Sequence, residues 1–158
     1  MSMERIRQAT ASVAVALDTI GYRYRYYDEL NSFILEFGLK KSRLTEVQVV
    51  VNVREDSVGF HSVCMIKVPR EQRERVAVYL TCCNFDLVYG NFEMNMSDGE
   101  VRFKNVLSYH ECMPSRRAVE ETLNLTVAMF DRYGDGLLSV IYANKDPKQA
   151  ALEAERHE

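Results

Sequence analysis

Residues 91–106, NFEMNMSDGEVRFKNV, read as a β-hairpin, and that reading constrains the rest of the chain. Apolar or aromatic residues alternate with polar ones on both sides of Asp98-Gly99, the pattern of two paired, half-buried strands. Asp-Gly tolerates the positive φ angles of a two-residue type I′ turn, so the spacing predicts that turn at 98–99. A hairpin with one apolar face needs further strands beside it and a layer over it.

The remaining segments supply both. Ile6, Ala9, Val13, Ala16, Leu17 and Ile20 recur at three- and four-residue steps, which predicts a helix from Ser2 or Met3 to Ile20. Ser2 is placed to cap it, and Gly21 to end it in the left-handed conformation. Four extended segments follow at 22–27, 33–39, 46–53 and 60–68, the third (EVQVVVNV) dense in β-branched residues. Short polar connections between them favour an antiparallel meander.

Pro69 opens a second helix with a charged first half and an apolar seam of Val76, Tyr79, Leu80 and Cys83. Glu71 and Arg75 are spaced to pair on its exposed side, and Asn84 is a stop signal. After the hairpin, a third helix is expected from Ser115, with Val119, Leu123, Thr126, Val127 and Phe130 inward. Gly134-Asp135-Gly136 reads as a break, leaving 137–142 as a second short helix. The fold class expected is α+β, an antiparallel β-sheet packed with helices in the order α-β-β-β-β-α-β-β-α. Residues 1–143 form one domain, and 144–158 a charged tail, disordered in part or a frayed helix.

Composition excludes several classes. The chain has 158 residues, enough to bury roughly 70% of its unfolded surface. With 47% hydrophobic and 27% charged residues it is not a disordered sequence. A net charge of −3 gives no electrostatic footprint for nucleic acid, and no apolar run approaches the ~20 residues of a membrane span. Basic residues before a short apolar run at the N-terminus faintly echo a signal peptide, but Glu4, Gln8, Thr10 and Asp18 interrupt it. Cys64, Cys82, Cys83 and Cys112 show no CxxC pair, which fits buried free thiols and a cytoplasmic location.

Residues with chemical potential are few. Residues 131–136 (DRYGDG) begin like a calcium loop, but Tyr133 and Tyr142 stand where oxygen ligands are required. His110-Glu111-Cys112 with Cys82 and Cys83 matches no structural zinc spacing. His61 and His157 have no nucleophile beside them, so no hydrolytic triad is supported. In 22–27, Tyr22, Tyr24 and Tyr26 would share one strand face and Arg23, Arg25 and Tyr27 the other. That arrangement can stack bases, or can simply pack on the first helix. Asn95 and Asn124 head glycosylation sequons, and Asp28-Glu29 and Glu120-Glu121 are solvated carboxylate pairs. Met94, Met96, Met113 and Met129 are candidates for lining an adaptable apolar groove. No catalytic, metal or cofactor residue is assigned.

The stretch ERVAVYLTCCNFDLVYGNFEMNMSDGEVRFKNVL resembles the central motif of the YbjN-like family. There a helix leads through a short loop to a Gly-Asn-Phe-Glu strand and an Asp-Gly-Glu-Val-Arg hairpin, here Gly90-Asn91-Phe92-Glu93 and Asp98-Gly99-Glu100-Val101-Arg102. The last helix, with Asp131-Arg132-Tyr133 and the LLSVIY finish, also fits, so the match is specific over about residues 72–142. The resemblance implies an α+β fold like that of the type III secretion chaperones, commonly homodimeric and non-catalytic, in a family described as bacterial sensory-transduction regulators. Gly90, Asn91, Phe92, Asp98, Gly99 and Arg102 are read as specifying the fold and not as a site. The function expected is a protein-interaction or chaperone-like regulatory module. The alternative is a small-molecule sensor with a pocket between the sheet and the terminal helix.

Overall fold

The computed structural model describes residues 2–156; the Ser2 side chain, proposed above as a cap, and His157 lie outside the described residues. Helix α1 (Ser2–Ile20) is followed by strands β1 (Arg25–Tyr27), β2 (Ser32–Gly38), β3 (Glu46–Val53) and β4 (Ser57–Cys64). Then come α2 (Arg73–Asn84), β5 (Asn91–Met94), β6 (Val101–Ser108), α3 (Arg116–Tyr142) and α4 (Pro147–Arg156). The strands form one antiparallel sheet in the order β1-β2-β3-β4-β6-β5. The α+β class and element order match the expectation, with α4 added.

Alternation sorts the sheet into two faces. Val47, Val49, Val51 and Val53 of β3 are buried, as are Val58, Phe60 and Ser62 of β4 and Val101 and Phe103 of β6. They form one core with Val13 and Leu17 of α1, Val76 and Tyr79 of α2, and Leu123 and Phe130 of α3. Even the buried hydroxyl of Ser62 is used, donating to the Thr126 carbonyl at 2.8 Å and tying β4 to α3. Gly21, at φ +90°, ends α1 as expected, its N–H returning to the Leu17 carbonyl at 3.1 Å.

Several local expectations are corrected. The hairpin turn is not a two-residue type I′ turn: β5 and β6 close at Met94–Val101, and residues 95–100 make a longer loop. Of the Asp98-Gly99 pair, Gly99 alone has positive φ. The Asp98 carboxylate instead accepts the Glu100 N–H at 2.9 Å, an Asx-type turn that a local dipeptide rule does not weigh. Only Arg25–Tyr27 of the 22–27 segment is strand, and β4 starts at Ser57 rather than Phe60.

The break at 134–136 is absent, because α3 runs unbroken through Gly134 and Gly136. Both glycines serve close packing. A Cβ on Gly134 would lie 2.6 Å from Leu44 Cδ1, and one on Gly136 would lie 2.9 Å from Tyr79 Cζ. The described part of the tail is largely helical too. Pro147–Arg156 is helix α4, and its buried Ala150, Ala151 and Ala154 share the core with α2 and α3. Nor does Arg75 pair with Glu71. It donates to the Val140 carbonyl at 3.3 Å and the Lys145 carbonyl at 2.6 Å, where α3 ends and its dipole is negative.

Asn84 closes the α2–β5 corner. Its amide accepts the Phe92 N–H at 2.6 Å and donates to the Phe92 carbonyl at 2.9 Å. It thus occupies the outward backbone groups of an edge strand that would otherwise invite another chain. Replacing Asn84 with alanine strands a donor and an acceptor at a buried residue, at a cost of about 2–4 kcal/mol measurable by urea unfolding.

Candidate interaction surface

The helices lie on one face of the sheet. The other carries three rows of side chains read directly from the strand register. One row is Arg25, Ile34, Val50, His61, Lys104 and Asn91; the second is Glu36, Gln48, Val63, Arg102 and Glu93; the third is Tyr27, Ser32, Asn52, Gly59 and Val106. Apolar Ile34, Val50 and Val63 sit at the centre, with charges toward the edges. Arg25 faces Glu36 at 3.4 Å, and Glu93 accepts from both Arg102 and Lys104. Burial pushes the Glu93 carboxyl up, but those two hydrogen bonds outweigh it and hold the group below its ordinary value. A shallow depression of about 370 Å³ is lined by Asn52, Arg54, His61, Val63 and Arg102, among others.

His61 stands in the middle of this face. Burial, then the charges of Arg102, Arg54 and Lys104, hold its pKa below the usual histidine value despite Glu93. The unfolded chain therefore binds a proton that the folded chain refuses, and stability falls as pH drops below about 6.5. Urea midpoints at pH 7.5 and 5.5 are expected to differ in that direction, and His61→Gln to reduce the difference.

The other residues singled out from sequence are dispersed. Asp131 and Asp135, one turn apart on α3, hold the loop between β2 and β3. Asp131 accepts the Lys41 N–H at 2.8 Å, and Asp135 the Arg43 N–H at 2.7 Å. The calcium-loop echo is a helix that grips a loop. Among the described residues, no three His, Cys, Asp or Glu side chains gather as a metal-binding group. Cys64 and Cys83 are buried, with burial pushing the Cys83 thiol up to about 12, whereas Cys112 is exposed.

Tyr22 and Tyr24 pack edge-on against Phe37 and Phe33, each pair of ring centres 5.1 Å apart. Their hydroxyls reach Asn124 and Asp18, while Arg23 and Arg25 are exposed. The rings thus pack, but on phenylalanines of β2 rather than on α1. Met94 lies on β5, Met96 on the hairpin loop and Met129 in a cleft between α3 and α4, so these three share no groove.

The surface that sequence reasoning passed over is the connection at 85–89, FDLVY. Phe85 is 76% exposed, Val88 82% and Tyr89 66%, a concentration of apolar surface on one short loop. The loop has fixed ends. Asn84 clamps one, and Gly90 closes the other at φ +70°, where a Cβ would lie 2.7 Å from the Phe103 ring. Leu87 turns inward and packs against the core. The signal was present in the sequence: four large apolar residues, Phe85, Leu87, Val88 and Tyr89, in a segment outside every predicted element.

Two of the clefts beside the helices bear on where a ligand could sit. One, of about 680 Å³, lies between α3, α4 and the 40–43 loop and is dominated by charged side chains, including Lys40, Lys41, Arg43, Asp131 and Asp135. The other, of about 760 Å³, lies between α1 and the β1–β2 edge. The charged cleft is the one beside the terminal helices. The aromatic one, lined by Tyr24, Tyr26 and Phe33, is at the opposite end of the chain.

Among the described residues no helix is long and apolar enough to cross a membrane. No family model matches the sequence, and no curated protein matches it either. The structure is similar to a solved one described as "Crystal structure of YbjN, a putative transcription regulator from E. coli". The two share 11% sequence identity over 85% of this chain and 89% of that chain, with a TM-score of 0.58. At that identity the likeness is one of architecture, and it agrees with the order of helices and strands set out above: the chain has a YbjN-like α+β fold.

Proposed function

We propose that this protein is a non-catalytic regulatory module of the cytoplasm that docks onto another polypeptide through the 85–89 loop. The observation that carries this reading is the exposure of Phe85, Val88 and Tyr89 on a loop fixed at both ends. A clamped apolar loop loses little entropy on binding, and aromatic side chains are the usual anchors of an interface. Full burial of the three would remove about 400–500 Å² from water, roughly half of what one partner contributes to a standard interface. The loop therefore acts as the anchor of a larger contact, inserted into an apolar recess of the partner.

Homodimerisation belongs to the same reading. The uncovered sheet face, with Ile34, Val50 and Val63 at its centre, is the surface available to a second copy. Light scattering in solution is expected to give twice the 18.3 kDa chain mass, and a monomer at all concentrations would remove this part. The docking reading is tested by affinity capture with the wild type and a Phe85→Ser/Val88→Ser/Tyr89→Ser variant. A stoichiometric partner held by the first and lost by the second supports it. An identical set of captured proteins contradicts it, provided both proteins melt at the same temperature.

A further inference from the structure

We infer that the cleft between α1 and the β1–β2 edge is a binding site for a small organic cation, an alkyl- or arylammonium with an apolar body. This goes beyond the docking reading and does not depend on it. The cleft holds about 760 Å³, within the range of small-molecule sites. Three aromatic residues line it, Tyr24, Tyr26 and Phe33. The ring centre of Phe33 lies 5.1 Å from that of Tyr24 and 4.7 Å from that of Tyr26, so Phe33 sits between the two tyrosines. Ile6 and Ala14 of α1 supply the aliphatic side. Phe33 is almost fully buried and props the two tyrosines, and it is the accessible parts of the Tyr24 and Tyr26 rings that attract a cation while accepting its methyl or aryl groups.

The charges favour the same class of ligand. Asp28 and Glu29 line the cleft with Arg7 as the single guanidinium, and neither carboxylate forms an ion pair with any described residue. The Tyr24 hydroxyl donates to Asp18 at 3.0 Å, and the Tyr26 hydroxyl lies 3.4 Å from an Asp28 carboxylate oxygen. Donation to an anion enriches the phenol ring in electrons and strengthens its pull on a cation. An anionic ligand would meet two carboxylates here, and a neutral one would gain nothing from them.

Calorimetric titration with benzyltrimethylammonium, benzyl alcohol and phenylacetate separates these cases. Saturable binding of the cation, about tenfold or more tighter than the alcohol and the carboxylate, is the expected result. Tyr26→Ala and Asp28→Asn/Glu29→Gln should each weaken the cation severalfold, with the ligand-free melting temperature as a check that the fold is intact. Equal affinity for the three probes overturns the proposal. So does an absence of saturation at about 10 mM cation, or undiminished affinity in both variants.

Discussion

Replacing Gly99 with alanine is expected to destabilise the protein by about 3 kcal/mol or more, the largest effect of any single methyl addition in the hairpin. Two penalties add. The residue sits at φ +80°, where a Cβ costs about 1–2 kcal/mol in an L-residue. That Cβ would also lie 2.9 Å from the Val68 nitrogen and 3.0 Å from its carbonyl carbon, atoms of the backbone that cannot rotate away. The contact exists because the Val68 N–H donates to the Gly99 carbonyl at 2.9 Å, docking the hairpin loop on the segment that leads to α2. Separating the two chains to admit a methyl group breaks that bond as well. Gly21 provides the control, since its φ is +90° but nothing lies within 4 Å of a Cβ there. Gly21→Ala should cost only the conformational part, about 1–2 kcal/mol. Equal urea midpoints for the two variants would show that docking on Val68 contributes nothing.

Gly136→Ala should also destabilise, by about 1–3 kcal/mol, although alanine is the better helix former by about 1 kcal/mol. The new methyl meets the Tyr79 ring, with Cζ at 2.9 Å and Cε2 at 3.1 Å. Tyr79 cannot yield, because it is fully buried and its hydroxyl donates to the Tyr133 carbonyl at 2.6 Å. The sign discriminates between two views of the residue. A glycine that interrupts a helix would be improved by alanine, and one that admits a neighbouring ring would not. Tyr79→Phe removes the atom nearest the new methyl, so the double variant should cost less than the sum of the two single ones. Strict additivity would mean that the two residues do not meet.

These glycines mark where the sequence was legible and where it was not. The β3 strand was readable because eight consecutive residues carry one strong, local preference, and its bounds fall at Glu46–Val53 as expected. The seam Val76, Tyr79, Leu80 and Cys83 was readable for the same reason, since helical spacing alone selects the buried face. Gly134 and Gly136 were misread because their role depends on Leu44 and Tyr79, residues far away in the chain. Ala150, Ala151 and Ala154 are individually weak signals, and their burial follows only once α2 and α3 offer a surface. The Asp98-Gly99 pair was half legible. Its glycine does take the left-handed conformation, but the loop length reflects docking on Val68 and side-chain capping by Asp98. Of the candidate surface, the rows of the open sheet face follow from alternation. The 85–89 loop is invisible to periodicity because it has none, and its exposure is set by the Asn84 clamp on Phe92.

The most direct test of the docking claim is photo-crosslinking in the native cell, with a benzophenone side chain placed at Tyr89 or, as a control, at Val15. Both positions are exposed, at 66% and 64%, but Val15 lies on α1, away from the loop. The account predicts one dominant crosslinked protein from position 89 and none from position 15. No crosslink from position 89, or the same diffuse pattern from both positions, would contradict it.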